Sequence, residues 1–233
     1  MLILSLDTSS AAGSAAIVRD GVVIAERAGD PSRTHGERLP RELMAILEAA
    51  GAGLHEVDRF AVSIGPGSFT GLRVGIATIQ GLAMARKALV TPVSSFEALA
   101  WQVRGTADAI ATWIDAHRGE VFATLFDGDG RTILQPATSL TPDATLDAWA
   151  ASLATRGRVR WTGDGALRYQ DTIAATRNGD EVENAIPRLA GAIGLIASAE
   201  PGRAVRPHAL VPLYVRRSDA ELARDRREAA PKG

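Results

Sequence analysis

The chain has 233 residues, 46% of them apolar and only 5% aromatic, with 26 basic residues against 27 acidic ones. This suffices for one large domain or two ordinary ones, and near-neutrality excludes the overall basic charge on which salt-sensitive nucleic-acid binding rests. The absence of cysteine excludes disulfides and thiolate metal sites and fits a reducing, cytoplasmic setting, and no apolar run reaches the ~18 residues of a membrane span.

Leu2 to Leu6 reads as a buried strand ending at Asp7, with no basic residues before it to suggest a signal peptide. Ser14 to Val18 and Val22 to Ala28 flank Arg19-Asp20-Gly21, a hairpin signal. A helix is predicted from about Thr34 to Ala50, with Leu39, Leu43, Ile46 and Leu47 at helical spacing. Pro40 sits best in a first turn, so the regular part is expected to begin after Thr34. Phe60 to Ile64 is a strand that stops at Gly65-Pro66-Gly67, and a helix follows from Thr70 to about Arg86, capped by Ser68 or Thr70. Its small residues Gly71, Gly75, Thr78 and Gly81 recur at three- and four-residue steps and make one face nearly smooth. Each glycine costs a helix about 1 kcal/mol against alanine, so that face must gain a close contact. The contact is either packing or a partner, or else the junction cradles an anion on its free N–H groups. A strand at Leu89 to Val93 and a helix opening at Ser94 or Ser95 complete the order β-β-β-α-β-α-β-α.

A similar order restarts near Ala109. Strands at Ala109 to Ile114 and Val121 to Phe126 flank Asp115-Ala116-His117-Arg118-Gly119-Glu120, and a third is expected near Thr132 to Leu134. A helix at Pro142 to Leu153, a strand at Val159 to Thr162, a turn at Gly163-Asp164-Gly165 and a helix at about Pro187 to Ala199 follow. The repeated order implies a duplicated α/β unit, divided here as 1–105 and 106–217, with a mixed-charge tail at 218–233.

Leu6-Asp7-Thr8-Ser9, the Gly65 to Gly75 junction, Val93 to Leu99, Ile114 to Phe122 and Pro212-Leu213-Tyr214-Val215-Arg216 together resemble the TsaB (YeaZ) family. The resemblance implies an actin-like, Hsp70-like, sugar-kinase-like ATPase fold with two βββαβαβα domains. It also implies a role in making threonylcarbamoyladenosine in tRNAs that read codons beginning with adenosine, as the non-catalytic paralogue of the transferase TsaD and alongside the ATPase TsaE. TsaD carries a His-x-x-x-His metal pair, and this chain has Ser95 and Leu99 at those places. A hydroxyl and an isobutyl group cannot replace two imidazoles, so neither a metal site nor a catalytic residue is expected. The family's first-domain helices pair with TsaD, or with a second copy of the chain when TsaD is absent. Here that implies a face built from Leu39, Leu43, Gly71, Gly75, Ile76, Ile79, Gln80 and Met84, unless both helices only cover their own sheet. The tRNA is then met only indirectly, and no membrane is involved.

Asp7, Thr8 and Ser9, with Gly163, Asp164 and Gly165, stand where the fold keeps its two phosphate-binding turns. The first lacks the glycines that let backbone N–H groups approach a phosphate, so both read as vestigial, with no cofactor of the chain's own and ATP only at the interface of a complex. The alternative is an ATPase or small-molecule kinase of the same fold, in which Asp7 positions a metal–phosphate group. The scattered histidines His35, His55, His117 and His208 lack metal spacing, and no serine sits in a Gly-x-Ser-x-Gly elbow. Arg156, Arg158 and Arg160 fit an exposed strand edge better than a phosphate track.

Overall fold

The computed structural model describes residues 1–216, and the tail read at 218–233 lies outside the described residues. The first half runs β1 (Leu2–Asp7), β2 (Ser14–Arg19), β3 (Val22–Ala28), α1 (His35–Ala49), β4 (Arg59–Ser63), α2 (Phe69–Arg86), β5 (Leu89–Val93) and α3 (Ser95–Val103). The second runs β6 (Ala109–Asp115), β7 (Val121–Asp127), β8 (Ile133–Leu140), α4 (Pro142–Ala154), β9 (Val159–Thr162), α5 (Asp164–Arg168), α6 (Gln170–Thr176), β10 (Glu181–Val182) and α7 (Ala190–Ala199). The sheets are ordered β3-β2-β1-β4-β5 and β8-β7-β6-β9-β10, so the duplication read from element order is a duplication of topology. In each, a hairpin-linked antiparallel set meets strands that run parallel to its first member. No helix among the described residues is long and apolar enough to cross a membrane.

Three apolar layers hold the sheets. Leu2, Leu4 and Leu6 point from β1 into a core with Leu39, Leu43, Ile46 and Leu47 of α1 and Ile76, Ile79 and Ala83 of α2. The opposite face of β1 presents Ile3 to a middle layer that includes Phe96 and Leu99 of α3 and Ile193 and Ile196 of α7. Burial on both faces is why β1 reads as an apolar run interrupted before Asp7 by Ser5 alone, whose buried hydroxyl donates to the Ala190 carbonyl at 2.7 Å. Ile110, Ile114 and Phe126 of the second sheet meet the same middle layer. That sheet's far side is filled by Trp113, Trp149 and Trp161, whose ring centroids lie 5.0–6.4 Å apart.

Several local readings change. Thr34 and Glu37 form a capping pair, the Glu37 carboxylate accepting from the Thr34 N–H at 2.9 Å and its hydroxyl at 2.7 Å. That pair starts α1 at His35, and Pro40 lies inside the helix on its exposed side. Ser68, not Thr70, caps α2, its hydroxyl accepting from the Gly71 N–H at 3.2 Å. Gly163 to Gly165 opens α5 and is not a plain turn, while α5, α6 and β10 carry no strong sequence signal. Arg156, Arg158 and Arg160 flank or lie on β9, which is an interior strand and not an edge. Each faces an acid: Arg156 pairs with Asp127, Arg158 with Glu181, and Arg160 with Glu181 and Glu183.

Helix α7 follows the second half in sequence but packs on β1, β2 and β4. Ser14 caps it from the first half, its hydroxyl accepting from the N–H groups of Leu189 (3.2 Å) and Ala190 (3.0 Å). The segment after it also returns to the first half. Val205 bridges to Val90, and the Leu213 N–H donates to the Ile64 carbonyl at 2.7 Å.

Candidate functional site

Three places bring sequence-predicted residues together. The first is the cleft between the halves. Asp7 ends β1 with its carboxylate buried, accepting from the Ser9 N–H at 2.9 Å. Asp164 opens α5 and accepts from the N–H groups of Asp115 (3.0 Å) and Gly165 (2.9 Å). Burial pushes both carboxyls above the ordinary aspartate range, and for Asp7 the nearby Asp164 adds to the rise. Asp7, Ser9, Gly163 and Asp164 line a small cavity of about 30 Å³ between the two turns.

Thr8 and Gly165 do not line that cavity. A Cβ at Gly71 or Gly75 would lie under 3.0 Å from Thr8 atoms, so the smooth face of α2 is seated on the Asp7–Ser9 turn. The Ser68 N–H donates to the Ser9 carbonyl at 2.7 Å and fixes the same turn. A Cβ at Gly163 or Gly165 would likewise strike the backbone of Trp113 and Ile114. These four glycines answer close approach of the protein to itself. From the other side His35 Nε2–H donates to the Ser10 carbonyl at 3.0 Å, while the Arg38 guanidinium donates to His35 Nδ1 and to the carbonyls of Ala11 and Ala12. That bonding fixes the His35 tautomer; burial, with Arg38 second, pushes its pKa down. His35 is therefore a bridge from α1 to the turn and more than a surface group.

The second place is the outer face of α1 and α2, where the assigned partner residues need correction. Leu39, Leu43, Ile76 and Ile79 are buried in the chain's own core, and Gly71 and Gly75 face Thr8, so none of the six is available to a partner. Helical periodicity marks an apolar stripe without saying what it meets. Gln80 is half-buried and donates to the Pro207 carbonyl at 2.9 Å. Met84 is 65% exposed and does lie outward, with Ala77 and Gly81 on the same face of α2 and Met44, 58% exposed, on α1.

The third place was not singled out as a site by sequence. A cavity of about 440 Å³ is walled by Pro66 to Thr70 at the start of α2, by Asp115 to His117 with Phe122, and by Leu213 to Arg216. These are three of the segments that carry the family resemblance, and their shared specificity was the available signal. Ser95 and Leu99 do not line this cavity, although Leu99 does line the small cavity between the two Asp-bearing turns. Ser95 is buried with its hydroxyl 2.8 Å from that of Ser63, and Leu99 is part of the middle core layer. No group of three or more potential metal-ligating histidine, cysteine or acidic side chains occurs among the described residues.

Two topologically identical halves meeting at paired Asp-bearing turns define the actin-like, sugar-kinase-like ATPase fold. The activator of a 2-hydroxyisocaproyl-CoA dehydratase from Clostridium difficile shares that fold at a TM-score of 0.52 and 13% identity, covering 87% of this chain and 96% of its own. A family model described as TsaD, tRNA N6-adenosine threonylcarbamoyltransferase, matches residues 23–148, more than half of the chain. The structure of YeaZ from Pseudomonas aeruginosa superposes at a TM-score of 0.75 with 28% identity, covering 91% of this chain and 99% of that one. The tRNA threonylcarbamoyladenosine biosynthesis protein TsaB of Bacillus subtilis is 28% identical over 238 residues, covering 95% of this chain and 96% of its own length. The chain belongs to the TsaB (YeaZ) family.

Proposed function

We propose that this chain is a non-catalytic scaffold and activator of the bacterial machinery that makes threonylcarbamoyladenosine in tRNA. It docks on the transferase TsaD through the outer face of α1 and α2, and the pair recruits TsaE; without TsaD the same face joins two copies of the chain. Its contribution is positional, so no side chain here carries the chemistry, and any ATP is held in the assembled complex.

The carrying observation is the contrast between the faces of α2. Gly71 and Gly75 are consumed inside, whereas Ala77, Gly81 and Met84 leave a smooth strip outside, and α1 exposes Met44. Small residues allow a second helix to approach closely, and exposed methionines adapt to a partner's shape. Ser95 and Leu99 support the non-catalytic half of the reading, because both are held by internal contacts.

The test is light-scattering chromatography of the chain alone and mixed with its own TsaD, followed by reconstituted modification of a tRNA transcript. The expected result is a 1:1 heterocomplex, abolished by Ala77→Glu, and modification that falls to background when the chain is omitted. Full modification without the chain overturns the proposal.

A further inference from the structure

The geometry points to the 440 Å³ cavity as a binding site for an unpaired nucleotide of an RNA strand. This goes beyond the scaffold reading and does not depend on it, because the cavity lies at the first turn of α2, whereas Ala77, Gly81 and Met84 lie in its later turns. It also departs from the expectation that RNA is met only indirectly.

The cavity's size falls within the range of small-ligand sites, and its walls are mainly aromatic and aliphatic with a few polar groups. One wall carries Phe69 and Tyr214, with ring centroids 5.5 Å apart, and the other half of the molecule contributes Phe122. Phe69 is 40% exposed and Tyr214 45%, so the parts of the rings not covered by each other or by Arg73 are open to a ligand. Arg73 lies 3.8 Å from the Phe69 ring centroid and donates to the Tyr214 hydroxyl at 3.3 Å. Aromatic rings beside a cation are the arrangement that accepts a flat base next to its phosphate.

Charge supports the same occupant. Asp115 is paired with Arg168 at 2.6 Å, and Glu120 with Arg216 at 3.1 Å. Arg73 is exposed and has no carboxylate partner among the described residues. His117 stands at the opposite rim, its side chain 82% exposed and its Nδ1 3.7 Å from the Asp115 carboxylate. Arg73 thus leaves one positive charge unpaired by a carboxylate here although the whole chain carries a formal charge of −1, which fits a phosphate met at one point and not a long basic track.

The test is fluorescence anisotropy of a short labelled single-stranded oligoribonucleotide titrated with the full chain. Saturable binding is expected, weakened tenfold or more by Phe69→Ala, since loss of one base–aromatic stack is worth about that or more. Phe69→Trp keeps a stacking face and stays within about threefold of the parent. Arg73→Gln weakens binding and flattens its salt dependence; one phosphate contact gives a loss of about 2.6-fold for a fourfold rise in salt on a single strand. Circular dichroism confirms that each variant is folded. No saturable binding at high micromolar protein, or binding untouched by both Phe69→Ala and Arg73→Gln, overturns the inference. Adenosine monophosphate competing as strongly as the oligonucleotide also overturns it, by assigning the cavity to a free nucleotide. None of these outcomes alters the expected complex with TsaD, which separates this failure from that of the scaffold reading.

Discussion

The two halves share one strand order and fill it by opposite means. The second half packs three tryptophans against its sheet. The first has Phe60 as its largest fully buried side chain and brings α2 down on glycines until helix and turn touch. Large rings tolerate an outer helix at ordinary distance, whereas a glycine contact fixes the helix against one particular turn. Glycine contacts hold the Asp-bearing turns of both halves, but only in the first half does a long helix supply them, α2 through Gly71 and Gly75; in the second the turn's own Gly163 and Gly165 do so. The helices of the first half also present small residues on the outside.

The largest expected effect lies in the aromatic half. Trp161 is fully buried between Trp113 and Trp149, and its indole N–H donates to Asp180 at 3.0 Å. Trp161→Ala should cost about 3–5 kcal/mol in denaturant unfolding. A loss within about 0.5 kcal/mol, the size of an ordinary surface change, breaks the idea that this cluster holds the second sheet.

The glycine half should respond to addition. Gly75→Ala places a methyl against Thr8 and is expected to cost about 1–3 kcal/mol by overpacking. Thr8 Oγ1 is buried without a hydrogen-bond partner, so Thr8→Ala removes the obstacle without breaking a hydrogen bond. The double variant should recover part of the loss, and a thermodynamic cycle should show coupling of about 1 kcal/mol or more. Strict additivity of the two single changes would mean that the helix and the turn are not seated on each other as described.

Much of this was legible in the chain. The Arg19-Asp20-Gly21 turn, the helical spacing of Leu39, Leu43, Ile46 and Leu47 and the apolar run of β1 are local signals, and the element order of the first half could be read from such signals. The packing of α7 on the first sheet was not legible, because Ser14 and its partners at 189 and 190 are far apart in sequence. The direction of α2 was hidden for another reason. Glycine and alanine occur on both sides of that helix, so periodicity could not say which small residues face Thr8 and which face outward. The cavity joined segments recognised one by one, and only the fold placed them on common walls.

The turns can be compared through pH. Asp7 and Asp164 both titrate above their ordinary value because they are buried. A folded-state pKa raised above the unfolded one gives stability that is full below the unfolded value of 3.8 and is lost as pH rises through the folded value. Asp7→Asn keeps an oxygen for the Ser9 N–H and removes the buried charge. Its melting temperature should exceed the parent's at neutral pH, and the gap should narrow on acidification towards 3.8. A gap that widens on acidification would show that the Asp7 charge stabilises the fold.

The smallest effect is the sharpest test of the two faces of α2. Gly81 lies six residues after Gly75 in the same helix, and a Cβ there meets nothing within 4 Å. Gly81→Ala should therefore stabilise the isolated chain by about 0.5–1 kcal/mol, opposite in sign to the same change at Gly75. A residue that weakens the free protein, touches nothing and lies on an exposed strip beside Met84 makes sense if a partner helix comes close to it. The same variant should then bind TsaD more weakly while melting higher. If it both melts higher and binds as well as the parent, close approach at Gly81 is excluded, and the docking face must be sought nearer Met44 on α1.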